Sequence, residues 1–329
     1  MNKHRTIGGG IAGLILTMAA ATSIAQESFP QHPIRMVLGF GAGGSVDIAA
    51  RALAEAAGRS LGQPVVVENV TGAGGGLALA DLSRRPADGY TVGITTSSYA
   101  AITAQLQKPP LDLGTLETLL GVAEFRQVLF TRSDSALSKW SDVAATRRAG
   151  SPIRYSHLGT GTSLHIQGHL AFKAAGVETI NVGYRGAPEM ITAVIGGHSD
   201  VGVADISAVD ALLQAGKLRL LVAATRERIK EYQDVPTLLE QGVQGPEALN
   251  PAVAVVIRKG TPEDRVAKLR EAFHRAAQSP EFASSVGTMK MLVREMPAAE
   301  FDAIIQQASR VAAPVIEEIK RAEPGSERK

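Results

Sequence analysis

The chain contains no cysteine, which excludes disulfides, thiolate nucleophiles and thiolate metal sites together. Aromatic residues are sparse too: one Trp, five Tyr and eight Phe leave few platforms on which bases could stack. There is no run of Lys or Arg, and the pI of 8.8 accompanies a net charge of only +2, so nucleic acid is not indicated as a partner. No G-x-S-x-G elbow occurs, and without Cys there is no Cys–His pair. The apolar run Ile7 to Ala21 is shorter than the roughly 20 residues a membrane-spanning helix needs. What remains is an ordinary globular composition, 45% hydrophobic and 20% charged over 329 residues, which is enough for two domains.

That short apolar run follows Lys3, His4 and Arg5 and precedes Ser23-Ile24-Ala25, small residues suited to the −3 and −1 positions of a signal-peptidase site. The layout predicts a secretory signal over 1–25 and a periplasmic mature chain. An exported protein without disulfides is held by its core alone.

The stretch Ile34 to Asp47, IRMVLGFGAGGSVD, reads as a short strand, a glycine turn and a helix opening near Ser45. Amide groups at a helix start lack intrahelical partners and carry the positive end of the dipole, so this is an anion cradle for a phosphate or a carboxylate. PVVVENV (64–70) and DGYTVGITTSS (88–98) follow as strands, with a helix near 77–84 after a second glycine cluster. Residues 104–120 show little periodicity and are expected to be irregular, and 122–132 reads as a strand crossing between domains. The grammar of strand, glycine turn and helix recurs at 153–176 and continues through strands at 180–186, 200–205 and 217–225, with a helix at 187–196. A strand at 252–262 and helices at 262–278 and 300–322 close the chain. Asp200 and Asp210 are expected in turns or caps. The alternation predicts a parallel sheet with helices on its faces, in two lobes joined by more than one crossing, near 122–132 and 245–255. A cleft over such a hinge suits a small ligand.

Two rival chemistries need weighing. GFGAGG (39–44) satisfies G-x-G-x-x-G, and Glu68 lies 24 residues past Gly44, near the place of a ribose-binding acid in a Rossmann-type NAD-dependent oxidoreductase. Against it, NAD is not expected outside the cytoplasm, and Ser45 and Asp47 stand where that fingerprint is apolar. His165 and His169 in HIQGH share a helical face, as a periplasmic zinc-binding protein would need, but Ile166 replaces the Glu of the catalytic zinc motif. The small-residue loops at 40–47, 71–76, 95–98, 157–163 and 184–187 instead suggest a cleft that binds a carboxylate with backbone amides and hydroxyls.

GAGGSVDIAARALAE, LGQPVVVEN, GAGGG, PADGYT, GTGTSLH, VGYRGAPEMITAVIGGHSDV and DVPTLLEQG, in this order, resemble the Bug-type (TctC) extracytoplasmic solute receptors of tripartite tricarboxylate transporters. The resemblance runs from about Pro33 to Pro314. It implies an α/β, two-lobed periplasmic-binding-protein fold (type II-like, a Venus flytrap), with lobe 1 formed by 26–126 and 250–329 and lobe 2 by 127–249. It also implies a monomeric receptor with no catalysis and no cofactor, which closes on a small organic acid and passes it to a membrane permease or a sensor. Carried over by motif, the ligand residues are Phe40, Ala42, Gly43, Gly44, Ser45 and Asp47 from the first loop, then Thr95, Thr96 and Ser97. The second lobe contributes Gly161, Thr162, His165, Tyr184, Arg185, Gly186 and Asp205. Asp47 equally suits the first turn of its own helix as a dipole-stabilising acid. The chain departs from the family pattern where Gly41 replaces a proline, where Asn69-Val70-Thr71-Gly72 lacks an Arg-Pro, and where Leu249-Asn250-Pro251 stands in place of a Trp.

Overall fold

The computed structural model describes residues 29–106, 112–146 and 152–322; the signal segment expected at 1–25 lies outside them. The first block is β1 (Ile34–Leu38), α1 (Ser45–Leu61), β2 (Val65–Asn69), α2 (Gly76–Arg84) and β3 (Thr91–Thr96), with β1 parallel to both β2 and β3. A helical turn over Tyr99–Thr103 runs into α3 (Ala104–Leu106), and β4 (Leu116–Glu124) follows. The second block comprises β5 (Gln127–Arg132), α4 (Trp140–Ala145), β6 (Ile153–His157), α5 (Ser163–Ala174) and β7 (Thr179–Gly183). It continues with α6 (Ala187–Ile195), β8 (Val201–Asp205), α7 (Ile206–Gln214) and β9 (Leu218–Ala223). The chain then returns through β10 (Ala252–Arg258), α8 (Glu263–Ala277), α9 (Pro280–Thr288), β11 (Leu292–Met296) and α10 (Ala298–Ala322).

These strands form two sheets, ordered β11-β4-β10-β3-β1-β2 and β7-β6-β8-β5-β9. In the first, Met36 and Leu38 of β1 pack toward α1, α8 and α9 through Leu53, Leu269, Phe273 and Phe282. Val37 points to the opposite face, against Leu79 and Leu82 of α2. That alternation along one strand gives the sheet helices on both faces. β10 is buried along nearly its whole length, which explains its unbroken run of Ala, Val and Ile. In the second sheet Tyr155, Phe172 and Val203 fill one side, and Phe130, Met190 and Val209 the other. Helix α10 straps the two halves: Ala308, Ala312 and Val315 share a cluster with Ala101 and Ile102 on one side and Ile166 of α5 on the other.

The chain passes between the sheets twice, and the two passages are bonded to each other. The Phe125 amide donates to the Pro251 carbonyl at 2.8 Å. The Gln127 amide donates to Asn250 Oδ1 at 2.8 Å, while Asn250 Nδ2 donates to the carbonyls of Ala224 and Glu247. One buried amide side chain therefore satisfies backbone groups on both crossings, which would otherwise be costly to bury.

Four expectations need correction. Of the stretch at 104–120 expected to be irregular, 107–111 lie outside the described residues, and the rest ends inside β4, where Leu119 to Ala123 are buried at every position and so lack a clean period of two. The strand read at 122–132 is two strands, broken at Phe125-Arg126 where the chain changes sheet. Asp210 lies within α7 rather than in a turn, and accepts from the Tyr232 hydroxyl at 2.7 Å. α9 and β11 were not anticipated, although Ser279 caps α9 by accepting the Phe282 amide and Pro280 sits at its first turn.

Candidate functional site

Two loops of the same construction, one from each half, face each other across a cleft. In each, a glycine with φ +78° precedes the helix start by two residues: Gly43 before α1 and Gly161 before α5. The Gly43 amide donates to Asp47 Oδ2 at 2.9 Å, and the Gly161 amide donates to His165 Nδ1 at 3.2 Å. Both acceptors stand four residues on, at the third helical position, so each helix holds its own entry loop. At Gly161 a Cβ would be strained by the positive φ and would also come within 2.5 Å of Leu106 from the first half. The two halves are in contact at that point.

Between the loops lies a cleft of about 710 Å³. Gly44, Ser45 and Val46 line it from the start of α1, and Thr162, Ser163 and Leu164 from the start of α5. Two helix N-termini therefore bring unpaired amides and the positive ends of their dipoles to one space. Thr96 and Ser98 add hydroxyls after β3, while Phe40, Leu106, Phe125 and Leu158 supply apolar wall. Among the described lining residues there is no Lys, Arg or His; the one carboxylate is Asp205, at the end of β8.

Of the residues named from sequence, Phe40, Ala42, Gly44, Ser45, Thr96, Gly161, Thr162 and Asp205 line this cleft. Gly43, Asp47, Thr95, Ser97, His165, Tyr184, Arg185 and Gly186 do not. Asp47 is buried and accepts from Gly43, Arg51 and Asn69, so it organises the loop from behind. Burial alone would raise its pKa, but those hydrogen bonds hold it below the usual carboxylate range. Thr95 faces a separate cavity on the other side of the sheet, and Ser97 Oγ accepts the Ala252 amide. His165 sits behind the Gly161 turn, where burial pushes its pKa down to about 4, with His157 and His169 adding to the effect. Tyr184 packs against the second core, and Arg185 is exposed. Sequence reasoning missed Gln127, Phe125, Leu106 and Pro251, which reach the cleft from the crossings between sheets and from α3. Only the place of 125–127 and 251 at the crossings between sheets could have signalled Phe125, Gln127 and Pro251, and no sequence signal marks Leu106.

Asp205 and Gln127 are the buried polar pair of the site. Asp205 Oδ1 and Gln127 Oε1 are both sequestered without a hydrogen-bond partner among the described residues. Gln127 Nε2 donates to Ser163 Oγ at 3.1 Å. Burial lifts the Asp205 pKa to about 6, and a hydrogen bond from the Gln127 side chain to its carboxyl acts in the opposite direction.

The rival chemistries do not assemble. Glu68 is bound by Arg35 at 2.6 Å on the outer strand β2, and the sheet order β2-β1-β3 gives way to antiparallel β10 rather than continuing as a doubly wound nucleotide fold. The His165 and His169 rings lie 6.5 Å apart, His169 faces Glu318, and no group of three or more metal-ligating side chains occurs among the described residues.

A model of the family described as tripartite tricarboxylate transporter family receptor matches residues 49–321. The UPF0065 protein of the gbd 5' region of Cupriavidus necator is 33% identical over 295 residues, covering 88% of this chain and 89% of that protein. Among solved structures, a TctC solute binding protein from Polaromonas aligns with a TM-score of 0.77 at 22% identity, over 88% of this chain and 100% of that one. MatC from Rhodopseudomonas palustris, solved with bound malate, aligns with a TM-score of 0.71 at 24% identity, over 87% of this chain and 100% of that one.

Proposed function

The chain belongs to the receptor family of tripartite tricarboxylate transporters, extracytoplasmic solute-binding proteins, and from that premise we propose that it captures a small carboxylate-bearing solute in the cleft between its halves. The observation that carries this reading is the meeting of the α1 and α5 N-termini across a cleft with no described cationic side chain. A carboxylate held there is met by backbone amides and by the hydroxyls of Ser45, Thr96 and Thr162. The malate-bound relative offers a small dicarboxylate as an example in the same architecture.

In this reading 26–126 with 250–329 forms one lobe and 127–249 the other, hinged at Phe125–Gln127 and Asn250–Pro251. Closure selects the solute that binds the closed state better than the open one. The protein works as a monomer in the periplasm after loss of 1–25, performs no chemistry, and hands its solute to a membrane permease or presents itself to a sensor.

Native mass spectrometry of residues 26–329, gently purified, tests the reading. A discrete added mass of small-molecule size is expected, lost on denaturation and absent from Ser45→Trp and Thr162→Trp variants that remain folded. An adduct that both blocked variants retain would place the solute elsewhere, and a bound dinucleotide or stoichiometric zinc would overturn the function.

A further inference from the structure

The two halves are also tied together outside the cleft, by charged groups that the binding site does not use. Arg126 lies between β4 and β5, where the chain passes from one sheet to the other. Its neighbours Phe125 and Gln127 line the cleft, whereas Arg126 does not. Its Nε donates to the Lys290 carbonyl at 2.6 Å, in the turn between α9 and β11 of the first half. Its Nη1 and Nη2 donate to the Glu231 carboxylate, which follows β9 of the second half, at 3.1 and 3.5 Å. The Lys290 ammonium crosses as well, to Asp210 Oδ2 of α7 at 3.5 Å. Asp210 is held in place from the other side, since its Oδ1 accepts the Tyr232 hydroxyl at 2.7 Å.

Lysine is an uncommon choice for that turn. Lys290 has φ +52°, in the left-handed region where a helix ordinarily ends on glycine and where a side chain is strained. Glycine would suit the backbone better, but it lacks the ammonium that meets Asp210. Arg126 is equally specific. Only 14% of its side chain is exposed, and a guanidinium can serve a carbonyl with one N–H and a carboxylate with others, which an ammonium on a flexible stem cannot match. Burial alone would raise the Glu231 pKa, but Arg126, with Lys290 adding to it, holds that carboxyl below the usual range.

Contacts between two bodies joined at a crossing persist only over the angles that keep the partners within reach. Resting on the reading of the halves as lobes that close on a solute, we infer that Arg126 and Lys290 are positioning residues. They form an ionic brace that sets the angle between the halves and favours the arrangement in which Leu106 meets Gly161. Neither touches the solute; both act on it through the width of the cleft. The partners Glu231 and Asp210 are partly exposed, so the brace is open to screening and weakens as salt rises.

The test needs no solute. The chain has no cysteine, so Glu55→Cys and Asp134→Cys, at side chains 78% and 77% exposed in different halves, can carry two spin labels for distance measurement. The purified mature chain is compared with Lys290→Gly and Arg126→Lys in that background. Lys290→Gly removes the ammonium while relieving the strained turn, so the variant should stay folded. In both variants the ratio of long to short distances should rise about 3- to 10-fold, the effect of one or two partly exposed ion pairs. Raising salt from about 0.05 M to about 1 M should produce the same change in the chain with Arg126 and Lys290 intact, and little further change where both are substituted. Folded variants whose distances are unchanged, or whose halves draw closer, would overturn the brace, as would a distance ratio indifferent to salt. None of these outcomes bears on the cleft as the solute site, which native mass spectrometry tests separately.

Discussion

The imidazole of His165 accepts the amide of Gly161 at the position where, in the other half of the protein, Asp47 accepts the amide of Gly43. The two entry loops thus share one backbone device built on different acceptors. A carboxylate serves where Arg51 and Asn69 can also reach it; a neutral imidazole serves where the surroundings are Tyr155 and two other histidines.

His165→Leu should therefore loosen the second loop without touching the solute. Losing a buried acceptor costs about 1–3 kcal/mol. The expected result is a lower urea midpoint together with weaker solute binding. His165→Asn, whose side-chain oxygen can replace Nδ1, should recover part of both. Equal loss in the two variants would mean that the imidazole acts through packing alone.

Acidification should destabilise the fold. His157, His165 and His169 all have pKa values lowered by burial, His165 to about 4. Between the ordinary histidine value near 6.5 and about 4, the unfolded chain takes up protons that the fold refuses, so stability falls as pH falls. Asp205 has the opposite sign, since its raised value lets the fold bind a proton first between about 4 and 6. Three histidines outweigh one aspartate. The urea midpoint at pH 5 should lie below that at pH 7.5, and His165→Asn should flatten the difference.

Which parts of this site were legible in sequence follows from chain geometry. The two glycine turns could be read because strand, turn and helix start are contiguous and each residue type has a local reason to be there. Thr95 to Ser97 do not share one surface because adjacent strand residues point in opposite directions: Thr96 lines the cleft while Thr95 faces another cavity. Asp47 and His165 belong to the right motifs but act on the backbone behind the cleft, and no motif separates a ligand contact from its support. Gln127 was invisible because its position depends on Ser163 and Asn250, remote in the chain. The fold was more readable than the site, except for α9 and β11, where short elements carry too little periodicity.

Asp47→Ala should behave as a stability variant. The carboxylate is 2% exposed and accepts from one backbone amide and two side chains, all of which would lose their partner. A loss of about 2–4 kcal/mol is expected by chemical denaturation. Asp47→Asn should lose less, because it keeps an acceptor of the same shape. A variant of normal stability with abolished binding would instead return Asp47 to the ligand.

Gly39→Ala should fail for a different reason. A Cβ at Gly39 would stand 2.3 Å from Gly75 Cα and 2.6 Å from its carbonyl oxygen, so neither backbone can yield cheaply. The loops at 39–45 and 72–76 would be forced apart, moving Phe40 and Gly74, both at the cleft. Destabilisation of about 1–3 kcal/mol with weaker binding is expected, read by thermal melting and by titration with the bound solute.

Asn250 offers the most direct test of the hinge. This residue falls in the Leu249-Asn250-Pro251 stretch that departs from the family pattern, and the structure gives the departure a mechanical meaning. Pro251 lines the cleft, whereas Asn250 accepts the Gln127 amide and donates to Ala224 and Glu247, locking the outgoing strand to the returning one. Asn250→Ala removes all three bonds in a site that is 3% exposed, at a cost of about 2–4 kcal/mol. The same change frees Gln127, so solute affinity should fall beyond what the lost stability accounts for, with a faster release rate in stopped-flow measurements. Asn250→Asp separates the two effects: it keeps the acceptor for Gln127 but sets a carboxylate oxygen against the Ala224 carbonyl. If Asp at 250 preserves affinity while lowering stability, the Gln127 bond is what aligns the cleft; if affinity falls equally in both variants, the clamp acts on the hinge as a whole.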